Sequence, residues 1–511
     1  MANQYKNKVV YDGNTLIDLT GDTATAADVA QGKTFHLATG EQAVGTASSG
    51  GGSATLTTKT ITANGTYSAE DDNADGYSEV TVNVPSSGGG AVTEKMVNFI
   101  DYDGTLLYSY SAAEFAELSA LPANPSHSGL TAQGWNWTLA QITSQLAAMP
   151  TQPVWVGQMY VTDDDKTRIY VHFEEARKSP YLGICPNGTV TVDWGDGTST
   201  DTLTGTSLIT VKHTPQHEYT SGGDYVITLT AASGTTFAFY GVSITSHILK
   251  KDTGTTANVN RVYANAVKKV ELGSAARLGA YAFTYCMSLE TITMPSTITS
   301  IGTYAFQYCY SLTNVVIPDG VTSIGTYAFQ YCYSLTNVVI PKEITSIGNY
   351  TFQYCYSLTN VVIPNRVTSI GTYVFRQCYS LTNVVIPDGV TSIGNYAFYA
   401  CYALANVVIP NGVTSIGTYA FSLCDSLASL TIPDSVTSIV ASTFASCRGI
   451  AEYHFKPTTP PTLANTNAFS SIQSDCKIYV PYSADHSILE AYQTATNWST
   501  YASYMVEEDA A

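Results

Sequence analysis

Eight cysteines, Cys286, Cys309, Cys332, Cys355, Cys378, Cys401, Cys424 and Cys447, follow one another at intervals of 23 residues without exception. A unit this short cannot bury its apolar side alone, so copies must stack into a solenoid in which each touches only its neighbours. One copy reads Ser311-Leu312-Thr313-Asn314-Val315-Val316-Ile317-Pro318, then Val321-Thr322-Ser323-Ile324-Gly325, then Ala328-Phe329 and Cys332. Leu312, Val315, Ile317, Val321, Ile324, Phe329 and Cys332 recur in fixed register and can fill a coil's interior. The spacing predicts eight cysteines in one line inside a continuous core, with strands on one face. A long, stiff surface is left over for binding, and no part of the repeat supplies chemistry.

The pattern Ile-Gly-x-x-Ala-Phe-x-x-Cys-x-x-Leu-x-x-Val-x-Ile-Pro, running over roughly residues 278–450, resembles the BspA-type leucine-rich repeat. That family occurs in adhesins and other surface proteins of gut and oral bacteria and in their phages. The resemblance implies binding to host proteins, glycans or cell surfaces, and no enzymatic activity.

Composition narrows the partners. The chain has 511 residues, too many for one core. Charged residues make up only 12%, well below the usual quarter, while tyrosine reaches 37, so the surface is mainly neutral and hydroxyl-rich. A formal charge of −18 argues against nucleic acid, whose phosphates need a basic stripe, and against anionic membrane surfaces. The N-terminus lacks the apolar core of a signal peptide, and no stretch approaches the roughly 18 apolar residues of a membrane span. A virion component needs no secretion route, because lysis releases it.

Stacked coils put equivalent cysteines about 4.8 Å apart, one strand spacing, which lies inside the disulfide range. Three states stay open for the row: buried thiols acting as small hydrophobes, disulfides, or metal ligands, although a metal needs converging donors rather than a line of them.

The rest of the chain is beaded. Residues 1–47 form an N-terminal attachment module, Ala47 to Ser53 a glycine–serine linker, and 54–85 a small β module containing Val80-Thr81-Val82-Asn83-Val84. Ser86-Ser87-Gly88-Gly89-Gly90 is a second linker. Both modules resemble segments of tail-associated proteins from phages of Firmicutes. Residues 91–178 read as a mixed α/β region, with helices at 111–120 and 139–148 and strands at 154–161 and 168–173. It contains Asp101-Tyr102-Asp103-Gly104-Thr105, which matches the signature of haloacid-dehalogenase-like phosphatases, where the first aspartate attacks phosphorus and the second is the acid/base. That chemistry also needs a parallel α/β sheet, a lysine and distal carboxylates. Only about 75 residues remain before the next domain and they lack a βα alternation, so the motif is read as a strand and an Asp-Gly turn.

Residues 179–248 alternate apolar and polar positions, as half-buried strands of a sandwich do. Trp194-Gly195-Asp196-Gly197 and Gly223-Asp224-Tyr225-Val226-Ile227 resemble a PKD domain, an immunoglobulin-like spacer. Asp193 and Asp196 are expected to hydrogen-bond a tight turn and His217 to be structural. Residues 255–449 form the solenoid and 450–511 a cap for its last coil, with a helix at 487–503 and Trp498 in the core.

Two stripes are candidates for ligand contact. Tyr308, Tyr331 and Tyr354 precede a cysteine, and Tyr310, Tyr333, Tyr356, Tyr379 and Tyr402 follow one. Tyrosine rows give rigid, amphipathic contact area at low entropic cost; the alternative is rings that stack only to stiffen the coil. The row fades at Gln377, Ala400, Leu423 and Asp425. The second stripe is Val316, Val339, Val362, Val385 and Val408, rimmed by Asn314, Asn337, Asn360, Asn383 and Asn406. Strand alternation points it outward, as an interface or as ordinary β-propensity.

The expected molecule is a mainly β, multi-domain phage tail-associated structural protein of the virion. It would be assembled in the host cytoplasm and recognise a host cell-surface glycan or protein through its solenoid. The N-terminal modules would join it to other tail proteins, with homo-oligomer formation open. No cofactor, metal or nucleic acid and no membrane insertion is expected. The alternative is a bacterial cell-surface adhesin of the same repeat family, and a phosphatase-like enzyme is a distant third.

Overall fold

The computed structural model describes residues 95–148, 153–209, 212–241, 248–250 and 262–509, together with short strands in the first 94 residues. The chain divides into two units, Met1–Val92 and Thr93–Ala511. In the first, Lys8–Tyr11 and Asn14–Asp18 form an antiparallel hairpin, and Gln42–Thr46 and Gly65–Ser68 both pair antiparallel with Glu79–Val82. Both linkers read from the sequence lie outside the described residues.

The second unit is built around the repeat. Each of the five central coils contributes an Asn-Val-Val strand such as Asn337–Val339 and a two-residue Ser-Ile strand such as Ser346–Ile347. Equivalent strands pair parallel and in register, Val315 with Val338 and Ile347 with Ile370. The expectation of strands on one face is corrected, because every coil carries two short sheets. Proline ends the first strand, and the turn after it closes with the Val321 amide donating to the Pro318 carbonyl at 3.0 Å. The third side of the coil has no regular strand, yet it is laddered too. The amides of Tyr327, Phe329 and Tyr331 donate to carbonyls of Asn349, Thr351 and Gln353 in the next coil, at 2.9 to 3.2 Å. That alternation needs left-handed backbone at two positions per coil, so Tyr327 and Tyr331 sit at φ 62° and 63°, uncommon for a residue with a Cβ.

The eight cysteines line one continuous core. Each from Cys309 to Cys447 donates its thiol to the carbonyl of a phenylalanine 26 residues earlier, Cys332 to Phe306 at 3.3 Å for example. This selects cysteine over alanine: it is a small hydrophobe that also satisfies a buried carbonyl. Beside it the phenylalanines from Phe283 to Phe469 stack at 5.2 to 6.0 Å between centroids. All eight cysteines of the row are free thiols. Burial holds every thiol in the row well above its usual pKa, so the nucleophilic thiolate is scarce at neutral pH.

Both open ends of the solenoid are closed. At the start, Thr167–Phe173 pairs antiparallel with Val267–Glu271, which pairs parallel with Thr291–Thr293. Thr236–Phe239 pairs with Ala276–Leu278, which continues to Ser300–Ile301. The strands of residues 167–239 therefore run into the first coils as one sheet and share their core. At the other end, Ser487–Thr494 is helical and Trp498–Tyr504 is a 3-10 turn. The single helix expected over 487–503 is broken by Asn497 at φ 65°. Trp498 is buried as expected, its indole donating to the Pro461 carbonyl at 2.7 Å.

Candidate binding face

Residues 95–162 form a four-stranded sheet, ordered Leu130–Trp135, Val154–Thr162, Lys95–Ile100, Leu106–Ser111. This layer lies on the valine face of the solenoid. Val316, Val339 and Val362 are buried, the last two in one apolar cluster with Val97, Phe99, Trp135 and Val156. The approach is close enough to demand glycine. A Cβ on Gly157 would lie 2.6 Å from both Val316 methyls. Gly104, at φ +89°, would clash with the Asn314 amide, which donates to the Asp103 carbonyl at 2.8 Å. The row faces out of the coil as alternation predicts, but it is not left exposed, because most of it is an interface within the chain. Three of its valines are covered by the chain itself, Val385 is half-buried, and only Val408, at 61% exposure, stands open.

The phosphatase-like motif belongs to this layer. Ile100 ends a strand antiparallel to Leu106–Ser111, and Asp101 to Thr105 form the turn between them. The Asp101 carboxylate is buried, contacting His127 Nε2 at 2.6 Å and accepting from the Tyr102 amide. Asp103 accepts from the Thr105 amide. Both aspartates thus serve a hairpin turn. Asp193 and Asp196 likewise accept from the amides of Gly195 and Thr198, and Asp196 also contacts His217, which stacks on Trp194 at 4.7 Å.

The tyrosines form ladders. Tyr308, Tyr331 and Tyr354 stack at 4.7 and 4.5 Å. Tyr310, Tyr333, Tyr356, Tyr379 and Tyr402 stack at 4.6 to 5.1 Å. The two rows meet edge to face, Tyr331 with Tyr333 at 6.1 Å and 88°. A third row, missed in the sequence reading, runs Tyr281, Tyr304, Tyr327, Tyr350, Tyr373, Tyr396 and Tyr419 at 4.4 to 4.8 Å. Its signal was present in the recurring Ile-Gly-Thr-Tyr or Ile-Gly-Asn-Tyr. Interior rings have both faces occupied by neighbours, which leaves only their edges and hydroxyls open. All are half-buried except Tyr402, 39% exposed, where Asp425 ends its row.

Burial, helped by neighbouring phenols, pushes Tyr327 and Tyr331 up to about 12, and raises Tyr333, Tyr356 and Tyr402. The folded chain holds these protons more tightly than the unfolded chain, whose tyrosines titrate near ~10. Stability is therefore full below pH ~10 and falls as pH rises towards 12. Thermal melts from pH 8 to 12 should show a midpoint level to about pH 9.5 and then declining. A midpoint unchanged up to pH 12 would contradict the burial of these rows.

Stacked coils with a repeated half-open face define a solenoid repeat protein suited to contact along its length. Residues 276–404 and 368–493 match the model of the BspA type leucine rich repeat region, in six copies, so this stretch of the chain is built of that repeat. Among solved structures, the T. pallidum leucine rich repeat protein is 31% identical, covering 30% of this chain and 72% of that one, with a TM-score of 0.28. A leucine rich cell surface protein from Faecalibacterium prausnitzii is 25% identical, with coverage of 44% and 87% and a TM-score of 0.19. The pneumococcal vaccine antigen PcpA is 17% identical, with coverage of 48% and 68% and a TM-score of 0.34. No curated protein matches the chain. Among the described residues no helix is long and apolar enough to cross a membrane.

Proposed function

We propose that this chain is a phage tail-associated protein that adheres to the host bacterial surface through the tyrosine side of its solenoid, with the N-terminal residues joining it to other tail proteins. The observation that carries the reading is the division of labour between the two stripes. The 95–162 layer covers most of the valine stripe, while the tyrosine rows keep partly open edges over successive coils. Rings fixed by their neighbours have little side-chain entropy left to lose on binding. Equivalent weak contacts on one rigid scaffold gain by multivalency. A neutral hydroxyl-and-ring surface suits a glycan or a protein patch. The resemblance of the N-terminal modules to tail-protein segments favours the virion, and the repeat family's surface proteins favour a second reading as a bacterial cell-surface adhesin.

Changing Tyr331, Tyr333, Tyr354 and Tyr356 together to Ser is expected to abolish binding of the fluorescent full-length chain to host cells, with circular dichroism still native. A folded variant that binds as well as the parent would make the rows purely structural. Gold labelling of purified virions and of intact, uninfected cells separates the two locations: label on tails supports the first, and label on cells alone supports the second.

A further inference from the structure

The tyrosine side has one break in its pattern, and the break is charged. Two residues before the cysteine, successive coils carry Gln307, Gln330 and Gln353, all buried. Their side-chain amides are linked, Gln307 Nε2 donating to Gln330 Oε1 at 2.6 Å and Gln330 in turn to Gln353. The next coil has Arg376 at this position, followed by Gln377 where earlier coils have tyrosine. The Arg376 guanidinium lies 5.2 Å from the ring centre of Tyr354 and 5.5 Å from those of Tyr373 and Tyr399. Its Nη1 donates to the Tyr354 hydroxyl at 2.5 Å, while its Nε is shielded from solvent without a hydrogen-bond partner. Among the described residues no carboxylate pairs with it, whereas Arg168, Arg177 and Arg366 each have one.

We propose that Arg376 is the centre of an anion subsite on the tyrosine side, selecting glycans that carry carboxylate or phosphate groups. This rests on the reading of the tyrosine rows as the binding surface and adds the ligand's chemistry to it. A guanidinium is a planar fork of donors that matches either anion. With Nε shielded and one Nη1 bond given to Tyr354, the remaining Nη N–H groups are those an anion would meet. Three rings hold this fork in place, so little order remains to be imposed when an anion arrives. The side chain is only partly buried, which leaves it open to a ligand. The overall charge of −18 does not forbid this, because fields of distant carboxylates are screened beyond about 8 Å at physiological ionic strength. It does favour ligands with spaced acid groups over dense polyanions.

The test uses the full chain with three probes: oligogalacturonate for carboxylate, glycerol-phosphate oligomers for phosphate, and neutral dextran oligomers. Arg376→Gln installs the residue that three neighbouring coils already carry, so the fold should be kept. The parent chain is expected to bind one acidic probe roughly tenfold or more tighter than dextran, as one charge-assisted fork implies. Arg376→Gln should bring that ratio close to one, and Arg376→Lys should keep part of it. Which acidic probe wins identifies the anion. Equal binding of all probes by the parent chain, or a ratio unchanged in Arg376→Gln, overturns the subsite. If the quadruple tyrosine variant still binds cells, the surface reading fails. If that variant loses cell binding while the acidic probes show no advantage, only the anion subsite fails.

Discussion

Val339→Asp is expected to release the 95–162 layer from the solenoid while leaving the coils folded. Val339 is 0% exposed and clusters with Val97, Phe99, Trp135 and Val156 across the contact. An unpaired carboxylate there loses its water without gaining a partner, a penalty of several kcal/mol. The coil itself should tolerate the change, because its interior is filled by the flanking Val338 and Ile340. Val408→Asp, at the equivalent position but 61% exposed, provides the control and should shift stability by less than about 0.5 kcal/mol. Limited proteolysis and hydrogen exchange over residues 95–162 report the difference. Equal protection of the layer in both variants would show that the valine face does not hold it.

Phe352→Ala is expected to divide the solenoid into two independently melting parts. The ring is fully buried between Phe329 at 5.5 Å and Phe375 at 5.7 Å. Its removal costs about 3–5 kcal/mol in a core that can only partly collapse. Solenoid stability is close to a sum over coils and nearest-neighbour contacts, so the loss stays local. The two ends also keep separate supports, the strands of residues 167–239 and the cap around Trp498. The 95–162 layer, which reaches across this point from Val339 to Val362, should lose its hold on Val362 as the second part melts. Urea melts should therefore become biphasic, with exchange rising first in the coils around residue 352. A single cooperative transition merely shifted to lower urea would show that the coils are coupled over a longer range.

How much of this was open to sequence reading depends on where the information sits. The cysteine line and the inward register of Leu312, Val315, Ile317 and Phe329 follow from a strict period, because one coil specifies all. The burial of Trp498 followed from the need to close the last coil. The cover over Val339 did not follow, since alternation tells which way a side chain points and nothing about what rests on it. The groups that fill that space come from Val97 to Val156, far away in the chain and without a matching period. The strand Leu130–Trp135 was hidden by its polar residues and by an irregularity between Ala132 and Gly134. The two-residue Ser-Ile strands are too short for any period to register. The third tyrosine row carries the same 23-residue period but stands five residues before the cysteine, as Tyr304 before Cys309, so the neighbours of cysteine do not point to it.

The extent of the 95–162 layer has a consequence for how proteins of this design can vary. The layer buries the valines of three coils, ending at Val362, and the cap begins after Cys447. Coils between those limits answer only to the coil before and the coil after. One more copy of 23 residues, spliced in between Cys378 and Cys424, would find the same hydrogen-bonding ladder on both sides. It would extend the tyrosine side by about 4.8 Å, one strand spacing. Duplication of nearly identical copies therefore changes the reach of this surface in fixed increments, with neither the layer nor the cap having to be rebuilt.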